Sequence, residues 1–341
     1  MVKHVQKAGK NLRPFYAKYS KDALREALRR MQIIRKFEEG AEDMYQRGQS
    51  YGTMHLSVGQ EATAVGATMM LKTTDYITST HRGHGHCIGK GAEAKFMFAE
   101  FLGKEEGYCR GRGGSMHIAD VSTGNLGANG IVGGGLPIAT GAAMAIKLQK
   151  RDDVAVCFFG DGANNEGAFH ESLNMAGVWN LPVIFVCENN QYGMSVSAER
   201  STAVKDIATR AIAYNMPGVV VNGNSIADVA EAMDEAVARA KRGEGPSLIE
   251  CKTYRTKGHS RSDRNRYRTK EEIELWKLRD PIPAFAAELM EHGILSEAEI
   301  AEVDAMTTQE IADAMVFAQN GTDPTHIDIE TEVHTPILVT A

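Results

Sequence analysis

The chain has 341 residues, a net charge of −6 and a hydrophobic content of 43%, values that suit an ordinary globular protein. The negative charge argues against a general nucleic-acid binder, and no run of about 20 apolar residues exists that would predict a membrane span. The five cysteines are scattered without a CxxC pair, so we expect reduced thiols and a cytoplasmic location.

The first part of the chain predicts an arm, two helices and a strand. The basic residues of the first 21 positions, with no acid among them, indicate a docking arm over residues 1–19, with a cleaved targeting segment as the alternative. Ser20 is a suitable N-cap for a helix over 20–47, in which apolar residues recur at helical spacing. A helix of small residues over 59–71 and a strand over 75–79 follow.

Residues 81–135 combine several histidines with many glycines, and we expect this segment to be irregular. The stretches GRGGSMH at 111–117 and GANGIVGGG at 127–135 are predicted loops. Long irregular segments inside a compact domain usually carry function. An alanine-rich helix is predicted next, over 136–148.

Two apolar runs, 153–159 and 182–187, predict neighbouring strands that both end in polar residues. Asp161 follows the first run and Asn190 the second, about one strand–helix–strand unit of roughly 30 residues later. Such strands end at the same sheet edge, where a carboxylate and an amide oxygen suit a hard cation, Mg²⁺ above all. For Gly160-Asp161-Gly162 taken alone, an anion site at a helix N-terminus and a tight turn with a capping aspartate are both open.

The rest of the pattern completes an α/β fold. Strands over 218–221 and 247–254 flank a helix over 225–242, which predicts a doubly wound, mostly parallel sheet with helical N- and C-terminal additions. The loop over 255–270 holds seven basic residues and one acid, which fits an active-site loop or a solvated basic patch. Helices at about 270–292 and 296–318 follow. We predict one domain over 20–320 and an extended tail over 321–341.

Six motifs carry a resemblance to a known family: HLSVGQEA (55–62), STHRGHGH (79–86), GRGGSMHIAD (111–120), NGIVGGG (129–135), GDG…ENNQYGM (160–194) and GHSRSD (258–263). From about residue 29 to 282 the chain resembles the α subunit of the heterotetrameric 2-oxo acid dehydrogenases. These are the thiamine-dependent first components of the pyruvate, branched-chain and acetoin dehydrogenase complexes. The resemblance implies the thiamine-diphosphate-binding fold, with thiamine diphosphate and Mg²⁺ as cofactors.

The resemblance also implies roles for individual residues. Asp161, the side chain of Asn190 and the backbone carbonyl of Tyr192 would bind magnesium. The implied cofactor-binding residues also include His81, Arg82, Gly130, Val132, Gly162, Ala163, Met194 and His259. Arg82 would pair with the diphosphate as a guanidinium fork, with His81 beside it. Gly162 and Ala163 would offer backbone amides to the diphosphate, Gly130 and Val132 would contact the aminopyrimidine ring through their backbones, and Met194 would support the bent cofactor.

The implied catalytic residues are His55 and His259, which would face the reacting carbon and could supply a proton. The implied reaction is oxidative decarboxylation of a small 2-oxo acid and acyl transfer to a lipoyl group on an acyltransferase component. Pyruvate is favoured, with acetoin and branched-chain acids as alternatives. In this family a glutamate that activates the cofactor lies on a β subunit, so the resemblance implies an α2β2 heterotetramer that binds no nucleic acid and no membrane.

Three other interpretations were weighed. A nicotinamide-linked dehydrogenase would need GxGxxG after its first strand, where this chain has GDGANN. A scaffold subunit that has lost its chemistry would not need the intact polar residues. The histidines of HRGHGH could suggest zinc, but their spacing without a nearby cysteine pair is poor for a metal site, so we expect His84 and His86 to be structural hydrogen-bonding residues.

Overall fold

The structure, a computed structural model, describes residues 3–4, 13–50 and 52–324. Its main strands are β1 (Lys3–His4), β2 (Tyr76–Thr78), β3 (Ala155–Gly160), β4 (Val183–Asn189), β7 (Gly218–Asn222) and β8 (Ser247–Lys252), and a short hairpin is formed by β5 (Tyr192–Gly193) and β6 (Val196–Ser197). The six main strands form one sheet in the order β1-β7-β8-β4-β3-β2, with every neighbouring pair parallel. The predicted α/β class with a mostly parallel sheet is confirmed.

The helices within the described residues surround this sheet. They are α1 (Pro14–Lys18), α2 (Lys21–Gln46), α3 (Glu61–Thr68), α4 (His84–Lys90), α5 (Ala94–Phe101), α6 (Gly135–Leu148), α7 (Gly167–Val178), α8 (Ala198–Ser201), α9 (Ile226–Lys241), α10 (Lys270–Lys277), α11 (Pro281–Glu291) and α12 (Glu297–Gln319). Segments of 3₁₀ helix occur as well, one of them at Asp161–Asn165. Over the described part of the chain, none of these helices has the length and apolar character needed to cross a membrane.

Helices cover both faces of the sheet, which is why β3 and the first five residues of β4 are apolar. On one face, Leu136 of α6 and Phe169 of α7 pack with Phe159 and Phe185 of the sheet. On the other face, α3 and α9 pack against side chains such as Phe158. A third apolar cluster joins α2, α5, α11 and α12. This arrangement leaves the carboxyl edge of β3 and β4 as the place where loops converge.

Local sequence signals explain most helix ends. The Ser20 hydroxyl accepts from the amide of Ala23 at 3.2 Å, as expected for the N-cap of α2. The predicted helix at 270–292 is two helices instead, because Asp280 caps a new start and Pro281 occupies the first position of α11. Residues 13–19 of the predicted arm pack on α9, where Arg13 pairs with Asp228 at 2.6 Å. The rest of the arm (1–2 and 5–12) and tail residues 325–341 lie outside the described residues.

The expectation of an irregular segment over 81–135 is wrong for its first third. Residues 84–90 and 94–101 form α4 and α5, whereas 111–117 and most of 127–135 are loops. The sequence HGHCIGK of α4 has poor helix propensity, so packing must stabilise it. A Cβ atom at Gly85 would lie 3.2 Å from Cβ of Ala64 and 3.3 Å from Oγ of Ser57, so glycine allows α4 to lie directly against α3.

Candidate active site

The ends of β3 and β4 bring Asp161 and Asn190 to one cavity. Both residues are buried, at 1% and 7% exposure. Neither carboxylate oxygen of Asp161 has a hydrogen-bond partner among the described residues, nor does Oδ1 of Asn190. The amide nitrogen of Asn190 donates to Oε1 of Gln60 at 3.1 Å, which fixes the orientation of the side chain. Three buried oxygens without partners are a donor set that fits a hard cation such as Mg²⁺.

The loop after β4 approaches this pair closely. A Cβ atom at Gly193 would lie 3.3 Å from Cα of Gly162 and 4.0 Å from Oδ2 of Asp161, so the two loops touch at two glycines. Gln191 and Met194 have φ angles of 76° and 51°, which non-glycine residues rarely adopt. Strained backbone of this kind is common where a loop must present its groups to a ligand. Tyr192, whose backbone carbonyl is the third predicted metal ligand, belongs to this loop and lines the same cavity as Asp161.

A buried cation, Arg82, lines the same cavity. Arg82 is 4% exposed. Its guanidinium donates to the carbonyls of Leu56 at 2.5 Å and His259 at 2.9 Å, and among the described residues no carboxylate forms an ion pair with it. Burial and the nearby Arg255 lower the pKa of Arg82 to about 9. A buried guanidinium without a counter-ion fits an anionic ligand such as a diphosphate.

Three histidines meet beside Arg82. The ring centroid of His55 lies 4.5 Å from that of His81 and 4.9 Å from that of His259. Burial, followed by the charge of Arg82, lowers the pKa of His55 to about 3, of His81 to about 2 and of His259 to about 4. The three rings are therefore neutral at neutral pH, and each can accept or hold a proton at a defined nitrogen.

Among the described residues, this histidine trio is also the group that could hold a metal ion. One ring nitrogen from each histidine lies within 4.8 Å of the other two. The buried cations Arg82 and Arg255 face it, and the repulsion that disfavours a proton on these rings disfavours a divalent metal as well. The HRGHGH histidines do not converge. His84 bonds to Glu38 and His86 to Glu188, as expected for structural residues.

The basic loop over 255–270 is partly internal. Arg255 is 1% exposed, and its guanidinium donates to the carbonyls of Tyr192 at 3.2 Å and Met194 at 2.6 Å. It also donates to Nδ1 of His259 at 3.2 Å, so in the neutral ring the proton of His259 lies on Nε2. This loop thus joins the metal-side loop to the histidine trio, unlike a solvated basic patch.

Most of the predicted site residues line this single cavity: His81, Arg82, Val132, Asp161, Gly162, Ala163, Asn190, Tyr192, Met194 and His259. His55 stands behind the lining, in contact with His81 and His259. Gly130 is not part of the lining. A Cβ atom there would lie 3.2 Å from Nε2 of His117, so this glycine lets the His117 ring lie against the loop. Asn129 and Ile131 line the cavity on either side of it.

The sequence interpretation missed a buried carboxylate that organises the glycine-rich loop. Glu100 is fully buried in α5. One of its oxygens accepts from the amides of Cys109 and Gly111 at 2.7 and 2.9 Å, and the other from those of Gly113 and Gly114 at 2.7 and 2.9 Å. An acid within the apolar helix AKFMFAEF, just before a glycine-rich stretch, was the available signal.

Comparisons with known proteins show which family the chain is similar to. The family model described as "Dehydrogenase E1 component" matches residues 29–326. The alpha subunit of the acetoin:2,6-dichlorophenolindophenol oxidoreductase of Bacillus subtilis is 47% identical over 89% of this chain and 91% of the relative. The corresponding subunit of Cupriavidus necator is 43% identical over 92% and 95%. The pyruvate dehydrogenase E1 component subunit alpha of Rhizobium meliloti is 38% identical over 93% and 91%.

Proposed function

The chain belongs to the dehydrogenase E1 component family, and on that basis we propose that it is the α subunit of a pyruvate-decarboxylating oxidoreductase that passes the acyl group to a lipoyl group. Membership implies thiamine diphosphate as the cofactor and a β subunit as a partner. The magnesium ion, the α2β2 stoichiometry and the lipoyl-bearing acyltransferase component are part of the proposal.

One observation carries this proposal: a single cavity is lined both by residues with three buried oxygens that have no partner among the described residues and by a buried guanidinium without a counter-ion. A ligand that combines a divalent cation with a polyanion satisfies both groups at once. Magnesium diphosphate has this composition, and the diphosphate belongs to the cofactor that the family implies.

The residues then have distinct tasks. Asp161, Asn190 and the carbonyl of Tyr192 hold the magnesium ion, while Arg82 binds the diphosphate. When bound, thiamine diphosphate supplies the carbon nucleophile and the electron sink for decarboxylation. His55 and His259 are the proposed proton donors to the substrate oxygen or the lipoyl sulfur, with Nε2 of His259 as the atom that carries the proton. Delivery needs the imidazolium form, which the negative charge of a bound diphosphate beside Arg82 would favour.

The rim of the cavity supports assembly with the β subunit. Ile131, Val132 and Met194 are 73%, 50% and 64% exposed, a set of apolar side chains at the mouth of a polar site. We propose that the β subunit covers this rim and contributes the glutamate that activates the cofactor. The isolated chain is then inactive.

Acetoin is the second candidate substrate, favoured by the relatives at 47% and 43% identity, whose names specify acetoin. Cleavage of acetoin and decarboxylation of pyruvate leave the same two-carbon fragment on the cofactor. The α chain can therefore serve either reaction with the same residues.

The test uses the chain co-expressed with a β subunit. Thiamine diphosphate is titrated calorimetrically with and without Mg²⁺, and turnover of pyruvate, acetoin and a branched-chain 2-oxo acid is followed with a dye acceptor. We expect magnesium-dependent binding and turnover of pyruvate or acetoin, both lost in Asn190→Ala. Asn320→Ala, at the exposed end of α12, is the control. A wild-type assembly that binds no thiamine diphosphate would refute the proposal.

A further inference from the structure

Two buried histidines lie in the first turn of α4, shortly after Arg82. His84 and His86 are each 1% exposed, and neither lines the cavity. Nδ1 of His84 bonds to Oε2 of Glu38 at 3.0 Å, and Nε2 bonds to Oγ of Ser115 at 2.9 Å. His86 repeats the pattern between Oε1 of Glu188 at 3.1 Å and Oγ of Ser79 at 2.8 Å. Each ring therefore bridges a glutamate and a serine that lie on different segments.

The bridge through His84 joins three segments of the site. Glu38 is fully buried in α2, and its other oxygen accepts from the amide of Ser57 at 2.9 Å and from the Ser57 hydroxyl at 2.6 Å. Ser57 is two residues from His55. Ser115 belongs to the glycine-rich loop over 111–117. The helix of Glu38, the segment of His55 and this loop thus meet at one imidazole.

The backbone leaves little room for other positions of α4. A Cβ atom at Gly83 would lie 2.6 Å from Oγ of Ser79 and 2.9 Å from the carbonyl of Thr80, so the turn that carries Arg82 is closely packed. The hydrogen bonds of His84 and His86, on two sides of the helix, fix the position of the turn that carries Arg82. Among the described residues, the Arg82 guanidinium bonds to the carbonyls of Leu56 and His259 and forms no ion pair, so no carboxylate determines its position.

We propose that His84 is a positioning residue for Arg82: held by Glu38 and Ser115, it keeps the guanidinium where it meets the diphosphate of the cofactor. His86 anchors the same turn from the other side. Neither ring touches the ligand. Fixing a buried guanidinium before the ligand arrives reduces the entropy that binding must otherwise overcome. This inference rests on the proposed function, because thiamine diphosphate is the ligand that reports it.

The experiment breaks the His84–Ser115 bond from each end in the α–β assembly. Ser115→Ala removes the hydroxyl, and His84→Asn keeps an amide at the Nδ1 position while removing the group that reaches Ser115. We expect either change to raise the dissociation constant of thiamine diphosphate, measured with Mg²⁺, about tenfold, as is common for residues that orient a ligand-binding group. The kcat at saturating cofactor stays within about twofold of wild type, because the groups that touch substrate are unchanged.

The double variant distinguishes positioning from general loosening. Because both changes break one bond, the double variant should bind the cofactor as weakly as either single variant. Ser115→Thr keeps a hydroxyl and should restore binding. The affinity for inorganic diphosphate, measured by competition, should fall by the same factor as the affinity for thiamine diphosphate, because Arg82 contacts the diphosphate group of both. Thr140→Val is the control, since it removes a buried hydroxyl that bonds only to Leu136 of its own helix.

Each outcome has a clear meaning. Wild-type dissociation constants in both single variants, additive losses in the double variant, or a loss for thiamine diphosphate without one for inorganic diphosphate would overturn the positioning role. If the wild-type assembly binds no thiamine diphosphate at all, the proposed function fails instead. Circular dichroism and size-exclusion chromatography identify a variant that has not folded, and the milder Ser115 pair then decides the question.

Discussion

Two regions of this molecule contain carboxylates that are buried to a similar depth but differ in their hydrogen bonding. At the ends of β3 and β4, Asp161 is 1% exposed and neither of its oxygens has a partner among the described residues. Next to the glycine-rich loop, Glu100 is fully buried and each of its oxygens accepts from two backbone amides. Both loops are rich in glycine, and both carboxylates belong to the described core of the chain.

The difference separates a binding site from a scaffold. A buried carboxylate whose oxygens have no hydrogen-bond partner destabilises the ligand-free protein, because the loss of water outweighs the favourable charge of the nearby Arg255. Burial accordingly raises the pKa of Asp161 to about 6. The carboxylate of Glu100 accepts hydrogen bonds from four backbone amides in place of water, and it thereby stabilises the glycine-rich loop. Sites where the protein leaves polar atoms unsatisfied indicate where a ligand completes the structure.

The strongest test of the comparison is Asp161→Asn. The change removes the carboxylate charge from the metal site, and we expect the affinity for thiamine diphosphate in the presence of Mg²⁺ to fall about a thousandfold, on the order of 4 kcal/mol. Calorimetric titration of the α–β assembly measures this loss. Asp313→Asn on the exposed face of α12 is the matched control. Binding of the Asp161 variant within a few-fold of wild type would show that the unpartnered oxygens do not hold a metal.

Arg82→Met should have the next largest effect on binding. It removes the buried guanidinium from the cavity, and we expect the affinity for thiamine diphosphate to fall about a hundredfold, on the order of 3 kcal/mol. Without ligand the same variant should unfold at an equal or higher denaturant concentration than wild type, because a buried cation without a counter-ion has been removed. A variant that loses cofactor affinity and also unfolds more easily would assign Arg82 to the scaffold.

Sequence reasoning predicted the Asp161–Asn190 pair, but it did not predict the contacts of His84. Asp161 and Asn190 follow apolar runs at the spacing of a strand–helix–strand unit, so a local pattern placed them at one sheet edge. Glu38 and His84 are 46 residues apart, and nothing in either neighbourhood indicates that they meet. The helix α4 was missed for the same reason, since tertiary packing against α3 and α2 stabilises a segment of weak helix propensity. The helix α5 was missed although its sequence AKFMFAEF contains good helix formers.

The pH dependence of the ligand-free protein provides a third test. The pKa of Asp161 is raised from 3.8 to about 6 on folding, so its contribution to stability is fully present below pH 3.8 and is lost as the pH rises through about 6. Relative to Asp161→Asn, the wild-type chain without metal should lose about 2.4 kcal/mol of unfolding free energy between pH 4 and pH 7.5. Denaturant unfolding in the presence of a chelator measures the difference. A difference that does not change with pH would mean that the carboxylate is solvated or paired.

Glu100→Gln should have the smallest effect of the series, and it acts on stability alone. The glutamine keeps one carbonyl oxygen for two of the four amides but turns an NH₂ group toward the others, so two buried donors lose their acceptor. We expect a loss of about 2 kcal/mol in the unfolding free energy and faster amide hydrogen exchange at Cys109, Gly111, Gly113 and Gly114. Glu93→Gln, on the exposed residue just before α5, should change neither quantity. If Glu100→Gln instead abolished cofactor binding while leaving the exchange of these amides unchanged, the carboxylate would belong to the ligand site and the contrast between the two regions would fail.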